Sequence, residues 1–182
     1  MRPQTDERGF SLLEVLVATA VFTVAVAGLA EICLTATRAN STARATTSTS
    51  MLAIQKMEQL RALTWGFDEL AAPLSDTTTD LSVSPESPNG GVGLTPSPPG
   101  ALGQNTAGYC DFLDAAGQPL GGGTVPPAAA IFARRWSVEP LPLHPADTLV
   151  LQVVVTRDLR GVSPHPLPDD ARLIGVKSRK EW

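Results

Sequence analysis

The run "FSLLEVLVATAVFTVAVAGLA", from Phe10 to Ala30, contains a single charged residue, Glu14. Wound as a helix at 1.5 Å per residue it would reach ~31 Å, about the thickness of a hydrocarbon core. A segment this apolar on every side reads as one membrane-spanning helix. A secretory signal peptide is the competing reading, because a short arginine-containing stretch precedes the run. The run is longer than such a core, however, no polar cleavage region follows it, and helical character continues beyond it. Arg2 and Arg8 precede the helix together with Asp6 and Glu7, while Arg38 and Arg44 follow it, so the flanking charges are a weak guide to orientation. A carboxylate deep in a bilayer costs ~2.5 to 3.5 kcal/mol. Glu14 is therefore expected either to stay hydrated near the helix start or to meet a cation that arrives later.

From Glu31 to Trp65 there is no proline and no glycine, so nothing forces the helix to stop. The second half of this stretch places Ala53, Met57 and Leu60 at helical spacing with Met51 and Ile54 beside them, and Gln55, Lys56 and Glu58 on other faces. Its first half, "RANSTARATTSTS", is rich in poor helix formers and reads as a helical neck or a frayed hinge. A helix running from Phe10 to Leu63 is too long to be buried in one small domain. It would project from a membrane or pack against other rods.

Between Pro73 and Pro127 prolines, glycines, serines and threonines punctuate the chain, which is expected to be mostly loop, with "LSV" at Leu81–Val83 and "YCDFLD" at Tyr109–Asp114 as brief strands. The "GGG" at Gly121–Gly123 reads as a turn. Three clearer strands begin at Ala130, Thr148 and Ala171. In the middle one, Leu149, Leu151, Val153 and Val155 alternate with Val150, Gln152, Val154 and Thr156, which implies one face on a core and a second face partly covered. The expected fold class is α+β: a long N-terminal helix, membrane-spanning in its first half and amphipathic in its second, packed on a small antiparallel sheet.

With 182 residues, the chain has room for one modest domain beyond the membrane segment. The net charge of -4 supplies no positive field for nucleic acid, and the basic run "KSRK", Lys177 to Lys180, reads as a solvated strand end. Cys33 and Cys110 are too isolated for a zinc site or a disulfide framework. His144 and His165 each precede a proline and are expected in extended loops. With Asp147 and Asp169 they suggest a metal site only faintly. Arg134 and Trp136 share a strand face with Phe132 and Val138, where a bulge or a covering loop is expected rather than a ligand site. No Ser/His/Asp order, phosphate loop or zinc-helix motif appears, so neither an enzyme nor a cofactor is expected.

The stretch "RGFSLLEVLVA", with Gly9 before an aromatic residue and Glu14 five residues after the glycine, resembles the class III signal of type IV prepilins and type II secretion pseudopilins. The resemblance implies cleavage between Gly9 and Phe10 by a prepilin peptidase, methylation of the Phe10 amine, and pairing of that amine with Glu14 of a neighbouring subunit. It divides the chain into a leader over 1–9, a membrane helix over 10–30, a helical continuation over 31–65 and a loop-rich β head over 66–182. It implies a single pass of the inner membrane with the head outside the cytoplasm, followed by assembly. The implied partners are other major and minor pilins, met through the N-terminal helix, and an inner-membrane assembly platform, with no specific nucleic acid.

"LAIQKMEQLRAL" (Leu52–Leu63), "RRWSVEP" and the valine-rich strand are similar to V-type minor pilins and I-type minor pseudopilins. Glu31 stands where many major pilins have a kinking proline, and the head lacks their C-terminal cysteine pair. Both departures favour a minor subunit acting in initiation or at the tip. The alternative is a tip-borne adhesin or a substrate- or DNA-binding module using the loops between Pro73 and Pro127.

Overall fold

A single helix, α1, runs from Leu12 to Ala62. It is the first element of a computed structural model that describes residues 11–67, 73–75, 92–161 and 167–179. The serine- and threonine-rich middle of α1 is helical, and its side chains show why. Thr46, Thr47, Ser48 and Thr49 each donate a hydroxyl to the carbonyl four residues back, at 2.9 to 3.1 Å. Hydroxyls that would otherwise compete for backbone groups are thereby absorbed into the helix.

The chain divides into two compact units, Met1–Ser41 and Thr42–Trp182. In the first, every described residue is an exposed helical position apart from Ser11, which precedes the helix and is also exposed. Thr19, Thr23, Thr35 and Thr37 return their hydroxyls to carbonyls of the preceding turn, so these hydroxyls are satisfied within the helix.

The second unit holds the core. Strands β1 (Trp65–Phe67) and β2 (Pro73–Ser75) form a small ribbon, and β3 (Cys110–Leu113), β4 (Pro119–Gly122), β5 (Phe132–Leu141), β6 (His144–Thr156) and β7 (Ala171–Ser178) form a five-stranded sheet in the order β4-β3-β5-β6-β7. All its neighbours are antiparallel. This is an α+β fold in which the second half of α1 lies on one face of an antiparallel sheet.

Ala45, Thr49, Ala53, Met57 and Leu60 are buried at intervals of three and four residues along α1. Of these, Ala53, Met57 and Leu60 share a core with Phe132, Trp136 and Val138 of β5 and the Leu149, Leu151, Val153 and Val155 row of β6. Gly175 of β7 lets the helix come close, because a Cβ there would lie 3.1 Å from Met57 Sδ. The turn before β7 is tied to the helix by Thr49 Oγ1, which donates to the Asp169 carbonyl at 2.7 Å.

The opposite sheet face is covered over β3 and β5, where Cys110, Phe112, Ala130 and Ala133 pack with Leu159. Arg135 holds that cover in place by donating to Asn105 Oδ1 at 2.9 Å, Thr156 Oγ1 at 2.9 Å and the Asp158 carbonyl at 3.0 Å. Over β6 the cover is incomplete: Val154 and Thr156 are buried, while Val150 and Gln152 are only half-buried.

Several local expectations are corrected. His144 is not in a loop, since β6 begins there and pairs it with Leu141 across a tight turn. The extended conformation that proline imposes on the preceding residue suits a strand equally well. Gly121 and Gly122 belong to β4 rather than to a turn. The ladder between β3 and β5 has no bulge at Arg134 and Arg135, and the cover over Arg134 comes from α1 instead of a loop. Lys177, at the end of β7, is half-buried rather than a free solvated charge: its ammonium donates to the carbonyls of Arg61, at 2.6 Å, and Leu63, closing the C-terminal end of α1. Leu81–Val83, His165 and Lys180 lie outside the described residues.

Candidate assembly site

Glu14 occupies the first turn of α1, with its amide and that of Val15 both donating to the Ser11 carbonyl, at 3.0 and 3.2 Å. Unpaired amides give this end of a helix a partial positive charge, which favours an acid there by ~0.3 to 1 kcal/mol. The turns that follow are apolar all round. Leu12, Leu13, Val15, Leu16 and Val17 are each more than half exposed in the single chain, and the same holds for Val21, Phe22 and Val24. An isolated carboxylate in a helix with no polar face suits a surface that leaves water, either into lipid or against other helices. By length and composition, α1 is the one described helix able to cross a membrane. Gly9 and Phe10, the other two residues marked by the sequence, lie outside the described residues.

Within the head, α1 and the sheet are joined by charge as well as by apolar packing. Arg134 of β5 grips Asp111 of β3 through both carboxylate oxygens, at 2.9 and 2.7 Å. Lys56 of α1 reaches the same carboxylate at 3.1 Å and lies 3.8 Å over the ring centroid of Trp136. All three ionised groups are buried. The face of Trp136 adds a cation–π contact to Lys56, and the Leu52 carbonyl and Gln55 Oε1 each accept from Arg134 at 3.3 Å. Lys56 was expected on a polar face of α1. It is buried because β3 brings Asp111 beneath the helix. Only the pairing across 55 residues could have shown this, and no local pattern carries it.

Cys33 and Cys110 are both free thiols. Burial pushes the Cys110 thiol up to about 12, against an opposing pull from Arg135. Among the described residues no three His, Cys, Asp or Glu side chains gather into a metal-binding group.

Residues 5–30 match the family model for the prokaryotic N-terminal methylation motif. Comparison with curated proteins and with solved structures gives no match. The motif, whose residues from Leu12 onward belong to a long helix that continues into an α+β head, supports the type IV pilin and pseudopilin family. It points to a structural subunit rather than an enzyme, one that a prepilin peptidase processes and that assembles with other pilins.

Proposed function

We propose that this chain is a minor pilin or pseudopilin, cut between Gly9 and Phe10, methylated on the Phe10 amine and built into a type IV pilus or type II secretion pseudopilus during initiation or tip assembly. The observation that carries the reading is the methylation motif over residues 5–30, which ends where the apolar half of α1 is exposed on every side. Before assembly that half is held in the inner membrane in a single pass, with the head outside the cytoplasm. Cleavage creates a cation at the end of an apolar helix, and Glu14 of an adjacent subunit neutralises it as the helices leave water. Each charge alone is costly in that setting, whereas paired they favour docking and set the axial stagger. Glu31 lies within an uninterrupted helix and both cysteines are free, which supports a minor subunit over a bulk fibre subunit.

Two variants separate processing from assembly. Gly9→Val should leave a full-length, membrane-bound precursor on immunoblots, and normal trimming would sink the cleavage site. Glu14→Ala should still be trimmed yet be missing from sheared or purified fibres. Incorporation at wild-type levels would rule out the pairing.

A further inference from the structure

Between Ser11 and Ser41 the chain carries three charged residues, Glu14, Glu31 and Arg38, and each is exposed on α1. None of them forms an ion pair among the described residues. Stepping alternately by three and four residues from Glu14 leads through Val17, Val21, Val24 and Gly28 to Glu31, and the next such pair of steps reaches Arg38. That spacing, about 3.5 residues, is the seam along which two parallel helices wind around each other. A straight α-helix drifts from the seam by about 20° every seven residues, and the shallow left-handed crossing usual between membrane helices takes up the drift. All the charge on this part of the helix thus shares one stripe. Gly28 lies on the same stripe, and nothing comes within 4 Å of the place its Cβ would occupy, so a second backbone can approach there.

The stripe complements a copy of itself only when the copy is displaced along the axis. Without displacement, two parallel copies set Glu31 against Glu31 and Arg38 against Arg38, and like charges repel. Raising one copy toward the head end by four residues, ~6 Å, brings its Phe10 level with Glu14 of the lower chain. The same shift brings its Glu31 level with Thr35 of the lower chain, three residues or ~4.5 Å from Arg38 on the N-terminal side. Side chains on a helix lean toward its N-terminus, so the long Arg38 of the lower chain reaches back to that acid. Thr35 does not compete, because its hydroxyl is donated to the Glu31 carbonyl of its own chain at 2.9 Å.

We propose that α1 pairs in parallel with a second copy of this chain along the stripe from Glu14 to Arg38, with Arg38 of the lower chain bound to Glu31 of the raised one just beyond the apolar segment. The inference rests on the pairing of Glu14 with the neighbouring Phe10 amine, and it adds a second ion pair that fixes the same stagger from the far end of the exposed helix. A slip of register must then break both pairs.

Disulfide trapping in cell membranes tests it, using two differently tagged full-length copies, both Cys33→Ser, one also Val21→Cys and the other Val17→Cys. Copper phenanthroline should join these two chains to each other far more than either to itself, because the shift sets Val21 of the lower chain level with Val17 of the raised one. Arg38→Glu in the Val21→Cys chain should lower the yield by about threefold or more, and Glu31→Arg in the Val17→Cys chain should then restore it. The same Arg38→Glu placed in the Val17→Cys chain should change nothing, since that arginine has no partner in the pair. Immunoblots of the same samples report trimming and protein level. A mixed disulfide that needs Glu14 in the Val21→Cys chain but ignores Arg38 and Glu31 overturns this inference and leaves the proposed function standing. Absence of the mixed disulfide from trimmed protein, or a stronger one between like chains, overturns the ion pair and the stagger together. Cross-links to a different pilin alone overturn the second copy as the occupant.

Discussion

Asp111 is the residue on which the head's interior charge depends. Two cations, Lys56 and Arg134, meet at its carboxylate out of contact with water. Replacing it with alanine removes the buried carboxylate that both cations share, and removal of one partner from a buried pair costs ~3 to 5 kcal/mol. Asp111→Ala should therefore unfold at much lower urea concentration than wild type, whereas a midpoint within error of wild type would show that the cations are stabilised by other means. Cys110 carries a second prediction. Its ordinary value of 9.0 applies to the unfolded chain, and in the fold burial pushes it up to about 12. Between those values the folded protein keeps a proton that the unfolded chain loses. This residue's stabilising contribution is thus present below the lower value and fades as pH rises toward the upper one. In a Cys33→Ser background, the remaining thiol should resist iodoacetamide at mildly alkaline pH until the chain is unfolded, and rapid alkylation of folded protein would contradict its burial.

At the scale of elements, the second half of α1 is held to the sheet chiefly by Ala53, Met57 and Leu60. Leu60 is fully buried, so Leu60→Ala should cost ~2 to 5 kcal/mol in unfolding experiments. A change below half a kcal/mol would mean that the helix is not packed as described. This apolar row was legible in the sequence because its helical spacing is local, and β5 to β7 were legible because valine-rich alternation is equally local. What was not legible depends on pairing at a distance. Lys56 looks solvent-facing until β3 places Asp111 beneath it, and Lys177 looks like a strand-end charge until its strand reaches the end of α1. His144 precedes proline and so looked like loop, although the tight turn at Leu141 carries the β5–β6 ladder through it. The hydroxyl-rich stretch of α1 was ambiguous because propensity counts serine and threonine against a helix, while their back-bonding to the preceding turn is a property of the formed helix.

For the whole molecule, function divides as the chain does. The N-terminal unit has an exposed, largely apolar helix with Glu14 in its first turn and carries the match to the methylation motif, while the head carries the core and the buried ion cluster. Of the candidate assembly site, Glu14 was visible in the sequence because an acid stands out in an apolar run. Its proposed partner was not, since the amine of Phe10 exists only after Gly9 is cut away. The most direct measurement is therefore the mass and sequence of the amino-terminal peptide of the protein purified from membranes or fibres. The account predicts a chain that begins at Phe10 and carries one methyl group on its α-amine. A chain that still begins at Met1, or one cut beyond Ala30 as a secretory signal would be, contradicts it.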